Sequence, residues 1–571
     1  MNNIINSVDI KEFKNAMGLE KIEDTLKQCF KFVLNQNVET AMGLELWLLN
    51  LDEIMDIVSE RLDRDYCEFQ CHNNDEIIKQ RFEYDQEKVS PIVKKYEAKF
   101  NKFFYENPFR KELSSKYDIL VKKKVNAIEL FREENILLEI EEDKIATEYY
   151  TITGAMSVLW KGEEKTLPQM AVYMKDCDRN IREKAWKLVQ SRRLQDAKKL
   201  DEIMDKLVEI RNKKAINANT KNYRDYMFKS LERFDYTPED CFTFHEAVLK
   251  YVVPISVKIQ KKHMKNLKLT SYRPWDMEAV PKGEKPLKPY ENIDELINGV
   301  INIFGKTDSF FMETLKAMKE SGTLDLESRK SKSPGGFCTY YPVSKMPYIF
   351  MNSAKSHSDL VTLTHEGGHS VHSMLCSEMK IADYREVPSE SAELASMSME
   401  LICMDKWDEF YKNEEDLKRA KREQLEDIIK FLPWGITVDR FQHWIYLNPE
   451  SSDKERNSKF AEIAKQFVYS FVDFTGYEEN LKHIWKAQLH IYEVPFYYIE
   501  YAIAQLGALQ VWRQYKLNPK NAIENYKKAL SLGCSVPLRE VYKVAGISFD
   551  FSEKIIKELM EFTWNELEKL Y

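Results

Sequence analysis

Residues 362–372 read TLTHEGGHSVH, which puts three histidines and a glutamate within eight positions of a chain that holds 10 histidines in all. On a helix His365 and His369 lie four residues apart, so both imidazoles leave one face, and Glu366 sits about 100° around from His365. Two neutral ring nitrogens at that spacing suit a zinc-type ion, and a carboxylate beside them can take a proton from water held there. This is the chemistry of a metal-dependent hydrolase. A chance H-E-x-x-H arises on the order of once per hundred chains of this histidine content, so the motif needs company before it carries weight. His372 shares the face and reads equally as third ligand, partner of a ligand, or neighbour. The longer three-histidine zinc motif needs a histidine where this chain has Leu375, and is excluded.

A third ligand is sought downstream, in VPSESAELASMSMELICM. Between Glu386 and Asp405 there is no Lys or Arg, in a chain with 85 of them. Glu390, Glu393, Ser396 and Glu400 follow at spacings that share one helix face, and the rest of the segment is small or apolar. Carboxylates alone on such a helix point to a buried face turned toward a cation. Position does not separate the three glutamates as ligands. A second wall is offered by HIYEVPFYYIEYAIAQLGALQVW (490–512), with His490 in the turn before a helix expected to begin at Pro495. Tyr498 and Tyr501 fall on one face, and Tyr497 pairs with Tyr501. A tyrosine stripe is ordinarily packing. Opposite a metal, a phenol or imidazole stabilises an oxyanion.

These groups need helices to hold them, and helical periodicity dominates the chain. The run at 185–215 places apolar residues at three- and four-residue spacings with charges between, and the carboxyl end at 549–571 reads the same way. For the motif helix, Ser358 or Asp359 is the expected N-cap. Its two glycines cost about 1 kcal/mol each against alanine. Gly367 points away from the histidines and permits close packing, while Gly368 leaves room for an extended peptide beside the metal. Two regions read as strands. One is 148–167, turning at Lys161-Gly162, and the other is 335–352, as two short strands. The proline-rich stretch 271–294 is a loop.

At 571 residues more than one core is expected, with a helical amino-terminal region at 1–195 and a catalytic region at 196–571. Hydrophobic residues at 43% and charged residues at 31% describe a soluble globular protein, and the net charge of −8 argues against nucleic-acid or anionic-membrane partners. The start, MNNIINSVDIKEF, lacks a secretory apolar core. The most apolar stretch, 494–512, carries Glu500, Gln505 and Gln510 and reads as a buried helix rather than a membrane span. Nine cysteines without a framework pattern suit reduced thiols in the cytoplasm. Cys67, Cys71 and His72 have no second ligand pair near in sequence, so they read as two small residues on a helical turn rather than a metal site.

Together with GGFCTYYP, RNKKAINANTKNYRDYMF (211–228) and KALSLGCSVPLREVYKVAGISFDFS (528–552), these stretches resemble the thimet oligopeptidase and oligoendopeptidase F family of zinc metallopeptidases. The resemblance is nearest the oligoendopeptidase F, or Pz-peptidase, branch and spans roughly 170–560. It implies a mainly α fold, in which two helical lobes enclose a deep channel and a small β-sheet lies beside the zinc-binding helix. Residues 348–352 would be the edge strand to which substrate adds. It implies His365, His369 and Glu393 as ligands of one Zn2+ per chain, since Glu393 followed by Ser396 and Glu400 matches the family pattern. Glu366 matches the general base and His490 the histidine on the oxyanion side. This segment is one residue shorter than in the thimet branch, which leaves Tyr498 and Tyr501 as the tyrosine pair and Tyr497 as the alternative. Glu400 and His372 would support the ligands. The implied activity is hydrolysis of internal bonds in short unstructured peptides by a Glu-activated, zinc-bound water. A zinc aminopeptidase and a non-catalytic peptide binder on the same scaffold are the alternatives.

Overall fold

The computed structural model describes residues 10–18 and 21–571, and within them the fold is mainly α. The helices that matter for function are α1 (Ala41–Cys71), α2 (Glu133–Gly154), α3 (Arg179–Gln195), α4 (Ala197–Asn217), α5 (Pro238–Ala247), α6 (Ile293–Thr307), α7 (His357–Cys376), α8 (Ser389–Met404), α9 (Glu414–Leu447), α10 (Tyr498–Leu517), α11 (Pro519–Leu530) and α12 (Glu553–Glu568). Among the described residues the strands are β1 (Ser157–Trp160), β2 (Glu163–Thr166), β3 (Leu324–Glu327), β4 (Phe337–Tyr341) and β5 (Met346–Ser353).

The chain forms two compact units, each drawn from three stretches. The first comprises Met1–Phe131, Leu287–Leu417 and Gly507–Phe549, and the second Arg132–Pro286, Lys418–Leu506 and Asp550–Tyr571. The position expected as a boundary, 195, falls at the end of α3, inside the second unit. The run at 185–215 is helical, as its spacing indicates, and is divided between α3 and α4. Asp196 interrupts it, with its carboxylate held by Arg192 at 2.5 Å and Lys199 at 2.7 Å.

In the first unit the amino-terminal helices pack around Phe30, Trp47, Phe100 and Phe104, and this cluster takes in Ile381 and Tyr384 from the chain just beyond α7. Lys124 reinforces the junction by an ion pair to Asp383 at 2.9 Å. In the second unit a buried arginine is compensated by the groups around it. Arg211 is fully buried against Glu142 (2.6 Å) and the Tyr446 hydroxyl (2.7 Å).

The sheet beside the motif helix is three-stranded in the order β3-β5-β4, with β3 parallel and β4 antiparallel to β5. It packs against α7, and the Cys338 thiol lies 3.4 Å from the Ser370 hydroxyl. The expectation that 348–352 is an edge strand is overturned. Phe350 pairs with Asp325 on one side and Phe337 on the other, so β5 is central and its backbone groups are spoken for. The edges of this sheet are β3 and β4. The other expected strand region is half right. β1 and β2 form a hairpin turned by Lys161 and Gly162, both at positive φ, which suits a tight two-residue hairpin loop. The preceding residues to Gly154 stay helical, because Tyr149 stacks on Tyr492 at 4.3 Å and packing overrides local β propensity.

Candidate active site

The motif helix α7 starts earlier than the sequence indicated. Ser356 caps it, and Asp359, as the third helical residue, completes a capping box. Asp359 Oδ2 accepts from the backbone N–H of Ser356 (2.8 Å) and from the Tyr290 hydroxyl (2.6 Å). With its start fixed, α7 presents His365 and His369 from one face, their ring centroids 4.9 Å apart.

The two glycines have separate functions. A Cβ on Gly367 would meet the Phe304 ring of α6 at 2.6 Å, which fits its expected packing face. A Cβ on Gly368 would lie 2.6 Å from Ser396 Cα and 2.9 Å from the Ala395 carbonyl oxygen. The space beside Gly368 is thus filled by the backbone of α8, and the expected room for peptide is not there. Gly368 instead lets α8 close on α7 near the residue that carries Glu393. The Tyr526 hydroxyl of α11 donates to this same Ala395 carbonyl (2.7 Å) and helps hold α8 in place. Residues 393–404 are all buried, as the lysine-free pattern implied.

This packing separates the three glutamates. Glu393 Oε2 lies 3.3 Å from His365 Nε2 and 3.8 Å from His369 Nε2, and His365, His369 and Glu393 offer ligand atoms within 4.8 Å of one another. Glu393 Oε2 also accepts from the Ser396 hydroxyl at 2.9 Å. Glu400 stands behind, its Oε1 2.6 Å from His365 Nδ1, so that ring donates Nδ1–H and turns the Nε2 lone pair toward Glu393. Glu390 is buried but is not in the cluster of ligand atoms. His372 is not in it either. It is buried, its ring bonds the Leu530 carbonyl of α11, and burial pushes it down to about 3.

Electrostatics follow from burial. Desolvation, with the Glu393 and Glu400 charges adding to it, raises Glu366 to about 7 against the opposing pull of His365. His369 is pushed down by burial to about 4, leaving a neutral ring at working pH. Burial also works against ionised Glu393, yet the histidines and Ser396 hold it at about 2. His365 is raised well above its usual value, because acceptance by Glu393 and Glu400 outweighs desolvation. The two carboxylates thus favour positive charge where these residues converge.

The second group belongs to the other unit. Here α10 begins at Tyr498, three residues later than expected. Phe496 takes a left-handed backbone (φ 68), is fully buried against Tyr446 and His443, and blocks helix formation from Pro495. Tyr498 and Tyr501 are 5.0 and 6.2 Å from the His490 ring, and Tyr497 is parallel to it at 6.3 Å. Burial raises Tyr498 to about 12, with Trp434 pulling the other way. Two residues unremarked in the sequence set the state of His490. The Trp434 indole, which can only donate, gives its Nε1–H to Gln488 Oε1 at 3.1 Å. That fixes the amide so that Gln488 Nε2 donates to His490 Nδ1 at 2.7 Å. His490, whose own pKa is lowered by burial, is then the neutral tautomer carrying its proton on Nε2. No motif spacing points to Trp434, which lies on another helix.

The sequence profile of peptidase family M3 matches residues 172–561. The chain belongs to peptidase family M3. An M3 relative, an oligoendopeptidase F homolog of Mycoplasma genitalium, is 26% identical over 340 residues, 57% of this chain and 52% of that protein. The homolog from Lactococcus lactis is 22% identical over 92% of this chain and 90% of its own length. Against the first curated relatives, then, the chain spans about half of their length. Among solved structures, a Pz-peptidase A determined with an inhibitor superposes with a TM-score of 0.87 at 26% identity, over 100% of this chain and 99% of that one. No helix among the described residues is long and apolar enough to cross a membrane.

Proposed function

We propose that this M3 family member is a zinc-dependent endopeptidase that cleaves internal bonds of short, unstructured peptides. The observation that carries this reading is the convergence of His365, His369 and Glu393, with buried Glu366 on the same helix turn. The donor set fits zinc. With Nδ1 donating to Glu400, the neutral His365 ring presents its Nε2 lone pair toward Glu393 Oε2 3.3 Å away, where a cation would be held by both. Two imidazoles and one carboxylate form a catalytic ligand set that keeps a further position open. Zinc bound there would polarise the scissile carbonyl and acidify water.

The remaining work is done by side chains. Glu366, raised to about 7, takes the proton released by the attacking water and hands it to the leaving amine. Glu400 holds the His365 tautomer. For the developing oxyanion we assign the Nε2–H of His490 and the hydroxyls of Tyr498 and Tyr501 as donors. Nine cysteines outside any disulfide and a peptide-sized substrate suit a cytoplasmic enzyme. The oligoendopeptidase F names of the relatives favour internal cleavage over aminopeptidase action.

An internally quenched peptide blocked at both ends tests this. The expected result is internal cleavage, lost with a zinc chelator and restored by zinc. An enzyme that cuts only the free-amine form is an aminopeptidase, and one that binds both forms and cuts neither is a peptide binder; either result would overturn the reading.

A further inference from the structure

We propose that the second unit holds a structural metal ion of the zinc class, bound by Cys241, Asp439 and His443. Cys241 and His245 lie four apart on α5, and Asp439 and His443 four apart on α9, so each helix offers a pair from one face. Cys241, Asp439 and His443 offer a sulfur, an oxygen and a nitrogen that all lie within 4.8 Å of one another. None of the three is more than 1% exposed.

Asp439 Oδ1 and the His443 ring nitrogens lack the hydrogen bonds that burial demands. Asp439 Oδ2 accepts from His245 Nε2 at 2.8 Å, but Asp439 Oδ1 has no hydrogen-bond partner. Neither ring nitrogen of His443 is hydrogen-bonded, although Nε2 lies 3.2 Å from Asp439 Oδ2. Aromatic rings surround His443, with Phe242 at 4.8 Å, Phe496 at 5.2 Å and Phe228 at 6.0 Å. Inside an apolar shell it is costly to bury a carboxylate with one oxygen unpartnered beside an imidazole whose Nδ1 has no hydrogen bond. A divalent ion removes the cost. With a thiolate, a carboxylate and a neutral imidazole around it the site is electrically neutral, and both orphaned groups gain a partner. Sulfur and imidazole ligands select zinc-class ions over calcium or magnesium, which favour oxygen. His245 then does for Asp439 what Glu400 does for His365, holding a ligand through its second atom.

The test is metal content of the full-length protein after zinc loading and gel filtration, measured by elemental mass spectrometry. The His365→Ala/His369→Ala variant is expected to keep about one zinc per chain, and adding Cys241→Ser is expected to remove it. A histidine variant that retains no zinc overturns the proposal while leaving the peptidase reading intact. A wild-type protein whose single zinc survives His365→Ala/His369→Ala but is lost with Cys241→Ser supports this site and defeats the other. Should Cys241→Ser fail to fold, cobalt loaded into the folded His365→Ala/His369→Ala variant decides. A thiolate-to-cobalt charge-transfer band is expected, and its absence overturns the assignment.

Discussion

Gly368→Ala is the most searching perturbation of the metal centre, because it touches none of the proposed ligands. The new methyl would lie 2.6 Å from Ser396 Cα, against the roughly 3.5–4.0 Å at which carbons rest. Its neighbours are backbone atoms of α8, so no side chain can swing away, and the two helices must part by about 1 Å. Glu393 rides on α8 one turn before Ser396 and retreats with it. Metal–ligand distances tolerate only about 0.2 Å, so the displacement is several times what the site accepts. Even indirect disturbance of a metal site costs 10–100-fold in affinity, and the upper end, about 100-fold or nearly 3 kcal/mol, is the expected loss here. Overpacking at about 1–3 kcal/mol offsets the roughly 1 kcal/mol that alanine gains in helix propensity. Gly367→Ala is the control, since its methyl meets the rim of the Phe304 ring, a side chain that can turn. Zinc dissociation constants from chelator competition, beside thermal unfolding of the metal-free proteins, compare the two. If Gly368→Ala binds zinc as tightly as Gly367→Ala, the helix-spacing argument is wrong.

Other expectations follow from the same geometry. Gln488→Glu accepts from both Trp434 and His490, which moves the imidazole proton to Nδ1. Turnover should fall up to about 10²-fold with KM changed far less, and a variant with wild-type kcat would dismiss the tautomer argument. Single Tyr498→Phe and Tyr501→Phe exchanges should lower kcat and leave zinc content unchanged; if both turn over like wild type, the stripe is packing. Zinc affinity should weaken toward acid pH. His365 is raised above its usual value, so its protonated form persists to higher pH and competes with metal by about tenfold per pH unit below that pKa. His369, pushed down to about 4, adds no competition near neutrality. Competition titrations at stepped pH check this, and an affinity flat from pH 8 to about 6 would contradict it.

Much of the candidate site was legible in the sequence because local spacing encodes it. His365, His369 and Glu366 are fixed by one helix, and the cation-seeking face of 393–404 announced itself by the absence of lysine. What spacing left open was which glutamate reaches the histidines. That is decided by how closely α8 approaches α7, and so by Gly368, whose tight contact cannot be read from its own helix. The same limit explains the errors. Whether 348–352 is central or at an edge depends on β3, a four-residue strand with little pattern of its own. Pro495 looked like a helix start because nothing nearby reveals that Phe496 is pinned in a left-handed backbone by distant aromatic residues. Cys241 and Asp439 are nearly two hundred residues apart, and neither flank carries a ligand motif. The interleaving of the two units is likewise a property of long-range packing, invisible to composition.

The central claim is that Glu366 is the base of a zinc peptidase, and Glu366→Gln tests it most directly. Glutamine keeps the shape and hydrogen-bonding reach of the side chain and removes its ability to take a proton. Zinc content and cleavage of the blocked, internally quenched peptide should be measured on the same preparation. The account predicts wild-type zinc at His365, His369 and Glu393 with cleavage reduced by at least about 10²-fold. Cleavage near the wild-type rate with zinc in place would contradict it.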